Sequence, residues 1–210
     1  MYLPDAFKTT DKDKGIAFIE RHSFGDLVTC SNHSICSNKV PFLVNSSENM
    51  LYGHFSNANP QLNDISAAPE VLAIFSGPQC YISPHWYHSD NMVPTWNFQT
   101  LQVKGTASIT DEKRLIWILE KLSTRHEASS PAPWSMKSLE QEKLDKMLGM
   151  ITGFQITIEK IEFKEKMSQN RSDRDQQSVI SALNKHNTPE AQAVGEIMRD
   201  RLQTDFKNSI

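Results

Sequence analysis

Two long segments of the chain alternate between apolar and polar residues, a pattern typical of a strand with one buried face. In the first, residues 98–109, Leu101 and Val103 share a face opposite Gln102. The second, residues 154–163, keeps the alternation except for a slip at Glu159-Lys160, which predicts a β-bulge. Shorter apolar segments predict further strands at 25–30, 40–45, 50–55, 71–75 and 79–83, with a turn at Gly77-Pro78 between the last two.

A helical period appears between residues 112 and 124, where Leu115, Ile118 and Leu122 form an apolar stripe after a cap at Thr110 or Asp111. The same reasoning predicts helices at 12–21, 60–67 (with Asn59 as its cap), 138–150, 172–185 and 188–206. Six or seven antiparallel strands with connecting helices indicate an α+β fold. Strands in this number close into a small barrel, and closure removes exposed sheet edges.

The character of the chain changes after Lys166. The two helical segments that follow are polar and carry only a thin apolar stripe. Such helices usually dock on their own domain or on a second copy of it. We therefore expect a barrel domain over residues 1–166 and a C-terminal helical extension over 167–210 that packs on the barrel or on the dimer partner.

Charge, hydropathy and cysteine content limit the classes of function that the chain can have. The net charge of −3 argues against attraction of the whole surface to nucleic acid, although a local basic patch stays open. The chain has neither a long apolar run nor an N-terminal apolar segment, so we expect a cytoplasmic protein without a membrane span. Cys30, Cys36 and Cys80 form no CxxC pair; Cys30 and Cys36 could meet across a hairpin as reduced thiols. The histidines are scattered, and no metal site is expected.

Residues 75–98 are unusually rich in aromatic, proline and hydrogen-bonding residues. Aromatic rings cover the faces of a planar ligand while polar side chains bind its rim, so this composition favours a planar, polar-edged ligand. The prolines favour presentation from loops or edge strands. An aromatic-rich core with two turns is the alternative.

Several uncommon motifs occur in one order along the chain. They are Met1-Tyr2-Leu3-Pro4, Gly53-His54, Ala58-Asn59-Pro60-Gln61, Ile74-Phe75-Ser76-Gly77-Pro78, Tyr81-Ile82-Ser83-Pro84-His85-Trp86-Tyr87, Val93-Pro94-Thr95-Trp96-Asn97-Phe98, Arg125-His126-Glu127 and Ser168-Gln169-Asn170-Arg171. In these motifs the chain resembles the PaiB-type, FMN-binding negative transcriptional regulator family. The resemblance implies a six-stranded antiparallel Greek-key split β-barrel that forms a homodimer with FMN at the interface. Pyridoxamine-phosphate oxidases and flavin reductases are more distantly similar.

The resemblance places the flavin phosphate at the turn that leads from one strand into a helix N-terminus. Its residues are His54, Ser56, Asn57, Asn59 and Gln61. An ordinary capped turn is the alternative. This chain has Asn57 where the family commonly has Arg, Lys39 where it has His, and Leu62 where it has Trp. Lys39 restores a cation near the phosphate, and the altered set leaves FAD open as the flavin.

Further residues are assigned by type of contact. Trp86, Tyr87 and Trp96 are expected to flank the flavin ring, and Ser83, Thr95 and Asn97 to bond its edge. Dimer-interface packing is the other reading of these aromatics. Arg125 and Arg171 are candidate anion clamps. The alternative for Arg125 is a solvated helix end, and the alternative for Arg171 is a structural salt bridge. His54 and His85 are candidate proton donors, and the catalytic residue is unknown.

The leading hypothesis is a flavin-dependent redox protein, such as a flavin reductase that uses NAD(P)H. The chain has no GxGxxG motif, so a nicotinamide would bind transiently over the flavin. The alternative is a negative transcriptional regulator that acts on DNA directly or indirectly, although neither a helix-turn-helix nor a basic stripe is evident. A haem protein with His54 or His85 as axial ligand is the third reading.

Overall fold

The computed structural model describes residues 1–207, so the last three residues of the expected 167–210 extension lie outside the described part. The strands are β1 (Lys8–Thr9), β2 (Phe24–Ser31), β3 (Ser34–Asn45), β4 (Met50–Ser56), β5 (Glu70–Ile82), β6 (Thr95–Ile109) and β7 (Ile151–Lys166). The helices are α1 (Lys12–Arg21), α2 (Gln61–Ala67), α3 (Glu112–His126), α4 (Gln141–Leu148), α5 (Asp173–Lys185) and α6 (Pro189–Lys207). Short 3-10 turns occupy Asp5–Phe7, Pro84–Trp86 and Met136–Ser138.

The strand pairing is that of an antiparallel split β-barrel. The order is β1-β7-β4-β3-β2-β5-β6, and β7 also pairs with β6, so six of the seven strands form a closed ring. The two-residue β1 adds to β7 through Lys8↔Lys164 and Thr9↔Phe163. The expected α+β class and barrel are confirmed, and the seventh strand is this short addition.

Contacts divide the chain into two units, and each is described separately. The first unit contains Met1–Asp11, Ser76–Leu101 and the chain from Glu162 onward. The second contains Lys12–Phe75 and Gln102–Ile161. One boundary lies at the start of α1, and the other three fall within β5, β6 and β7. The expected division at residue 166 stays a prediction.

Aromatic rings fill the core of the second unit. Phe42 lies edge-on to Phe75 at 5.1 Å between ring centroids and to Phe154 at 6.0 Å. Phe55 stacks on Phe154 at 5.0 Å. Because side chains alternate along a strand, these inward positions leave Pro41 on β3 and Tyr52 and His54 on β4 facing outward. Tyr52 packs there with Ile118 and Leu122, so α3 covers part of this outer face.

The hairpin between β2 and β3 has a two-residue turn at Asn32 and His33. Both have positive φ, 48° and 63°, as a type I′ turn requires. The resulting register pairs Thr29 with Cys36 and Cys30 with Ile35. Cys30 and Cys36 therefore point to opposite faces of the hairpin, and the expectation that they meet across it is wrong.

The two C-terminal helices pack within the first unit. Val179 and Leu183 of α5 and Val194 and Met198 of α6 form a buried cluster that includes Tyr87. The predicted start of α5 is confirmed, since Ser172 Oγ accepts a hydrogen bond from the backbone N–H of Asp175 at 3.2 Å. The thin apolar stripe of these helices is thus buried within the unit.

Several element boundaries differ from the sequence-based expectation, including the start of β3 at Ser34 and not at residue 40, and three of the differences have a clear structural basis. The turn predicted at Gly77-Pro78 is wrong, because β5 runs through it as a single 13-residue strand. No glycine in the described residues has the positive φ that such a turn favours. The registered pairs between β5 and β2 end at Ile74, so the missing N–H of Pro78 removes no hydrogen bond from that ladder.

The other two boundaries concern helices. The helix predicted over 138–150 is shorter, because Ser138 belongs to the preceding 3-10 turn and Leu139 is extended. Helix α2 begins at Gln61 with Pro60 at its N-cap, whereas Asn59 was predicted there. Asn59 still acts as a side-chain acceptor, since its Oδ1 receives the backbone N–H of Gln61 at 3.0 Å. No helix within residues 1–207 is long and apolar enough to cross a membrane.

The closest approach of β6 to β7 requires a glycine. A Cβ added at Gly105 would lie 2.1 Å from the carbonyl oxygen of Thr157, a backbone atom that cannot rotate away. We expect Gly105→Ala to lower the free energy of unfolding by about 1–3 kcal/mol, the usual cost of overpacking, in urea titrations followed by circular dichroism. At Gly149 the nearest atom would be 3.5 Å away, so Gly149→Ala is the matched control and should change stability little. Equal effects of the two substitutions would contradict this account of the strand contact.

Candidate functional site

The predicted phosphate-binding residues lie in the second unit, where Gln61 is completely buried. Its Nε2 donates to the carbonyl oxygen of Leu27 at 2.8 Å and to Thr29 Oγ1 at 3.3 Å. Its Oε1 accepts from Asn38 Nδ2 at 3.1 Å and from Asn59 Nδ2 at 3.4 Å. The amide of Gln61 is therefore engaged on both sides and fixes α2 against the β2–β3 hairpin.

Asn57 also makes hydrogen bonds within the unit. Its Nδ2 donates to the carbonyl oxygen of Gly149 at 2.8 Å, and its Oδ1 accepts from Thr152 Oγ1 at 2.6 Å. These bonds tie the turn after β4 to the start of β7. In this arrangement the Asn57 side chain positions the turn, and it supplies none of the charge that the family's Arg would supply.

The donors that face solvent near this turn are few. Lys39 Nζ pairs with Asp26 Oδ2 at 2.8 Å, and the Lys39 side chain is 52% exposed. An exposed pair of this kind is weakly held, which leaves the ammonium group accessible to an incoming anion. Ser56 is exposed, and its Oγ accepts the Ala58 N–H at 3.3 Å.

Arg125 does not join this group of residues. It lies in the last turn of α3, where its Nη2 donates to the backbone carbonyl oxygen of Glu20 in α1. The contact anchors the end of α3 to α1. The alternative interpretation of Arg125 as a helix-end cation agrees with this placement, and its role as an anion clamp stays a prediction.

His54 lies on the outer face of β4, and its Nδ1 is buried without a hydrogen-bond partner. Burial lowers the pKa of this imidazole below its usual 6.5, because desolvation disfavours the charged form. The side chain is therefore neutral at physiological pH. A neutral imidazole has one donor and one acceptor nitrogen, so His54 can bond an uncharged polar group but contributes no charge toward a phosphate.

The predicted ring-binding residues belong to the first unit. Ser83 caps the Pro84–Trp86 turn by accepting the His85 N–H at 3.3 Å. Trp86 lies 5.3 Å from the ring of His186, and its neighbour Tyr87 is buried. Trp96 contacts Tyr81 edge-on at 6.0 Å while 54% of its surface stays exposed. Trp96 is thus the most accessible of the three aromatics predicted to flank a ring.

Lys166 organises this part of the first unit, and sequence reasoning missed it. Its Nζ donates to Thr95 Oγ1 and, at 2.7 Å, to the carbonyl oxygen of Trp96. Burial, followed by the charges of Arg171 and Lys164, lowers the pKa of Lys166 below its usual 10.5. Arg171 in turn lies 5.9 Å from the ring of Tyr87. The signal in the sequence was the position of Lys166 at the end of the alternating β7 strand, just before Ser168-Gln169-Asn170-Arg171.

Asn97 and Ser168 form a buried polar pair. Asn97 Nδ2 donates to Ser168 Oγ at 3.0 Å, and Ser168 Oγ also lies 3.2 Å from Asn97 Oδ1. Ser168 has a φ of 62°, an uncommon backbone conformation for a residue with a Cβ. The bonds from Asn97 support this conformation, which redirects the chain from β7 toward Arg171. Thr95, Trp96, Asn97 and Arg171 are therefore brought together by Lys166 and Ser168.

The closed ring of antiparallel strands defines the class of split β-barrel proteins. Residues 1–160 match the family described as "Putative FMN-binding domain", and the chain belongs to this family. The PaiB-type assignment is confirmed, because the chain is 34% identical over 205 residues to the Protease synthase and sporulation protein PAI 2 of Bacillus subtilis (strain 168). The aligned region covers 97% of this chain and 99% of that protein.

Solved structures agree with the fold. The flavocytochrome Anf3 from Azotobacter vinelandii superposes with a TM-score of 0.59 at 11% identity, covering 76% of this chain and 69% of that one. The FAD and heme binding protein from Mycobacterium smegmatis gives 0.57 at 10% identity, covering 76% and 73%. At these identities the likeness establishes the fold alone.

The lowered pKa of His54 has a consequence for stability. Below about pH 6.5 the His54 imidazole binds a proton more readily in the unfolded chain than in the folded chain. The contribution of His54 to the free energy of unfolding is therefore present above that pH and is lost on acidification. As the pH falls from about 7.5 to about 5.5, we expect the free energy of unfolding to decrease less in His54→Gln than in the wild type, as measured by urea denaturation. The pKa of His22 is lowered in the same direction by burial and by Arg21, so His22→Asn is the matched comparison for separating the two contributions. An unchanged pH dependence in His54→Gln would contradict the assignment.

Proposed function

We propose that this protein binds FMN and acts as a flavin-dependent redox protein, with NAD(P)H as the reductant. The observation that carries the proposal is an accessible cation, Lys39, whose neighbour Asn38 bonds Gln61 at the start of α2, in a chain of an FMN-binding family. A phosphate dianion requires cations or N–H donors, and this cluster offers both. The donor set therefore fits the phosphate end of FMN.

Lys39 is the main charged contact in this proposal. Ser56 Oγ adds a neutral hydrogen bond, and so does the second N–H of Asn59 Nδ2, whose first N–H is donated to Gln61. Asn57 is held by Gly149 and Thr152. Binding of FMN must displace or share the Asp26 carboxylate that pairs with Lys39. The phosphate is thus bound by one cation and several uncharged donors, fewer charges than an Arg at position 57 would provide.

We propose that the ring-binding groups come from the first unit in a homodimer. Trp96, Trp86 and Tyr87 would cover the ring faces, and Ser83, Thr95 and Asn97 would bond its edge. FMN supplies the hydride-accepting chemistry when it is bound. The positive charges of Lys166 and Arg171 would favour the more negative, reduced form of the ring, because nearby cations stabilise added negative charge.

The phosphate assignment is tested by comparing FMN with riboflavin, which has the same ring and no phosphate. We expect Lys39→Ala to weaken FMN binding by about 10-fold, the usual effect of losing a hydrogen bond to a charged group, and to leave riboflavin binding unchanged. The measurement is quenching of flavin fluorescence in a titration. Lys121→Ala removes an exposed lysine on α3 and is the control.

Redox function is tested in the same samples. Addition of NADH or NADPH to the FMN-loaded wild type under anaerobic conditions should bleach the visible flavin bands faster than it bleaches free FMN. A protein that binds neither flavin would refute the whole proposal, and one that binds FMN without faster bleaching would refute the reductase part. An equal loss of riboflavin and FMN binding in Lys39→Ala would refute the phosphate assignment.

The name of the Bacillus subtilis relative connects that protein with protease synthesis and sporulation, and a negative transcriptional regulator is the second candidate for this chain. Direct contact with DNA predicts a mobility shift. The affinity of the protein–DNA complex should then fall steeply as the salt concentration rises, since phosphate contacts release counterions. We expect either no mobility shift or one whose affinity depends only weakly on salt, because the net charge is −3 and the basic residues of α5 and α6 are interspersed with acids. A tight, steeply salt-dependent complex would instead favour direct binding to DNA.

A further inference from the structure

The second unit contains a cavity of about 530 Å³ beside the outer face of its strands. Pro41 and His54 form the strand side of the cavity, and Leu119 and Leu122 line it from α3. The opposite side comes from α4 and from residues 134–139. This volume lies within the range of small-molecule sites, and the walls are mainly aliphatic side chains.

The polar groups of the cavity are few. Ser123, His126 and Glu127 contribute from the end of α3, and Glu127 Oε2 is engaged by the N–H of Trp134 at 3.0 Å. None of the described residues that line the cavity is a lysine or an arginine. Ser123 and His126 are neutral or weakly basic hydrogen-bonding groups, and the Nδ1 of His54 is buried without a partner.

These features exclude an anionic occupant. A phosphate or carboxylate would meet the Glu127 carboxylate and no lysine or arginine, so the phosphate end of FMN does not suit this cavity. A suitable ligand brings its own apolar surface and one polar group.

Two large apolar side chains that line the cavity also reach solvent. Trp134 is 45% exposed and Met147 is 49% exposed. A bound apolar molecule would remove part of this surface from water, and aromatic ligands also gain from contact with Trp and with the Met thioether. The exposed side chains therefore favour an aromatic ligand over a purely aliphatic one.

We propose that this cavity binds an uncharged aromatic small molecule bearing one hydroxyl group, with the hydroxyl bonded to the His54 imidazole. A hydroxyl can donate or accept, so it satisfies either tautomer of the neutral imidazole. This site is separate from the Lys39 cluster and does not depend on flavin binding. It assigns His54 to recognition of the ligand hydroxyl.

The test uses 2-naphthol and 2-methylnaphthalene, which have nearly the same shape and differ by a hydroxyl in place of a methyl group. Isothermal titration of the full-length wild type should detect binding of 2-naphthol in the micromolar to low-millimolar range. We expect His54→Leu to weaken 2-naphthol binding about 5- to 10-fold, as loss of one hydrogen bond implies, and to leave 2-methylnaphthalene binding unchanged or stronger.

A second pair of variants locates the site. Leu144→Trp fills the cavity from α4 and should abolish binding of both probes, whereas Lys143→Trp adds the same ring at an exposed position outside the cavity lining and should keep both. Thermal melts by circular dichroism check folding, and Leu119→Phe replaces Leu144→Trp if the latter does not fold. FMN titrations should be unaffected by Leu144→Trp, which separates this proposal from the flavin proposal.

Three results would overturn the proposal. The first is no detectable 2-naphthol binding to the wild type. The second is 2-naphthol binding that survives both Leu144→Trp and Leu119→Phe. The third is a change of oligomeric state in Leu144→Trp but not in Lys143→Trp, measured by analytical ultracentrifugation, because the cavity would then be part of a contact between copies of the chain.

Discussion

The pairing of β6 with β7 is the constraint on which the rest of the fold depends, because it turns an open sheet into a closed ring. Closure requires the two backbones to approach where Gly105 meets the Thr157 carbonyl, and any side chain at that point would separate them. Once the ring is closed, alternation divides each strand into an inner and an outer set of residues. The stacked rings of Phe42, Phe55 and Phe154 take the inner positions of the second unit.

That division decides which residues are available for chemistry. Pro41 and His54 are directed away from the phenylalanine core, and helices α3 and α4 form a cavity over them. The same covering removes water from His54 and keeps it neutral, as its lowered pKa shows. A neutral imidazole suits recognition of an uncharged hydroxyl, while the charge needed for a phosphate must come from Lys39. The two proposed roles therefore fall to different residues of one unit.

In the first unit, polar interactions rather than aromatic packing fix the candidate site. Lys166 connects Thr95 to the Trp96 carbonyl, and Asn97 supports the positive φ of Ser168. Both contacts bring the end of β7 to the start of β6, so residues about 70 positions apart in the chain become neighbours. Burial, followed by the charges of Arg171 and Lys164, lowers the pKa of Lys166, and the grouped cations make this part of the unit favourable for negative charge.

The sequence alone determined the strand and helix types, the PaiB-type family and most element boundaries, because two-residue and 3.6-residue periods are local properties of a chain. It wrongly predicted a turn at Gly77-Pro78, since glycine and proline also fit extended backbone and the pairing of β5 with β2 has already ended at Ile74. It could not reveal that the Asn57 amide bonds Gly149, or that the Gln61 amide bonds Leu27 and Asn38. The hydrogen bond from Lys166 to Thr95 was equally hidden. Only the tertiary structure decided these contacts and left His54 Nδ1 without a partner, because hydrogen bonding and desolvation depend on which distant segments the barrel brings together.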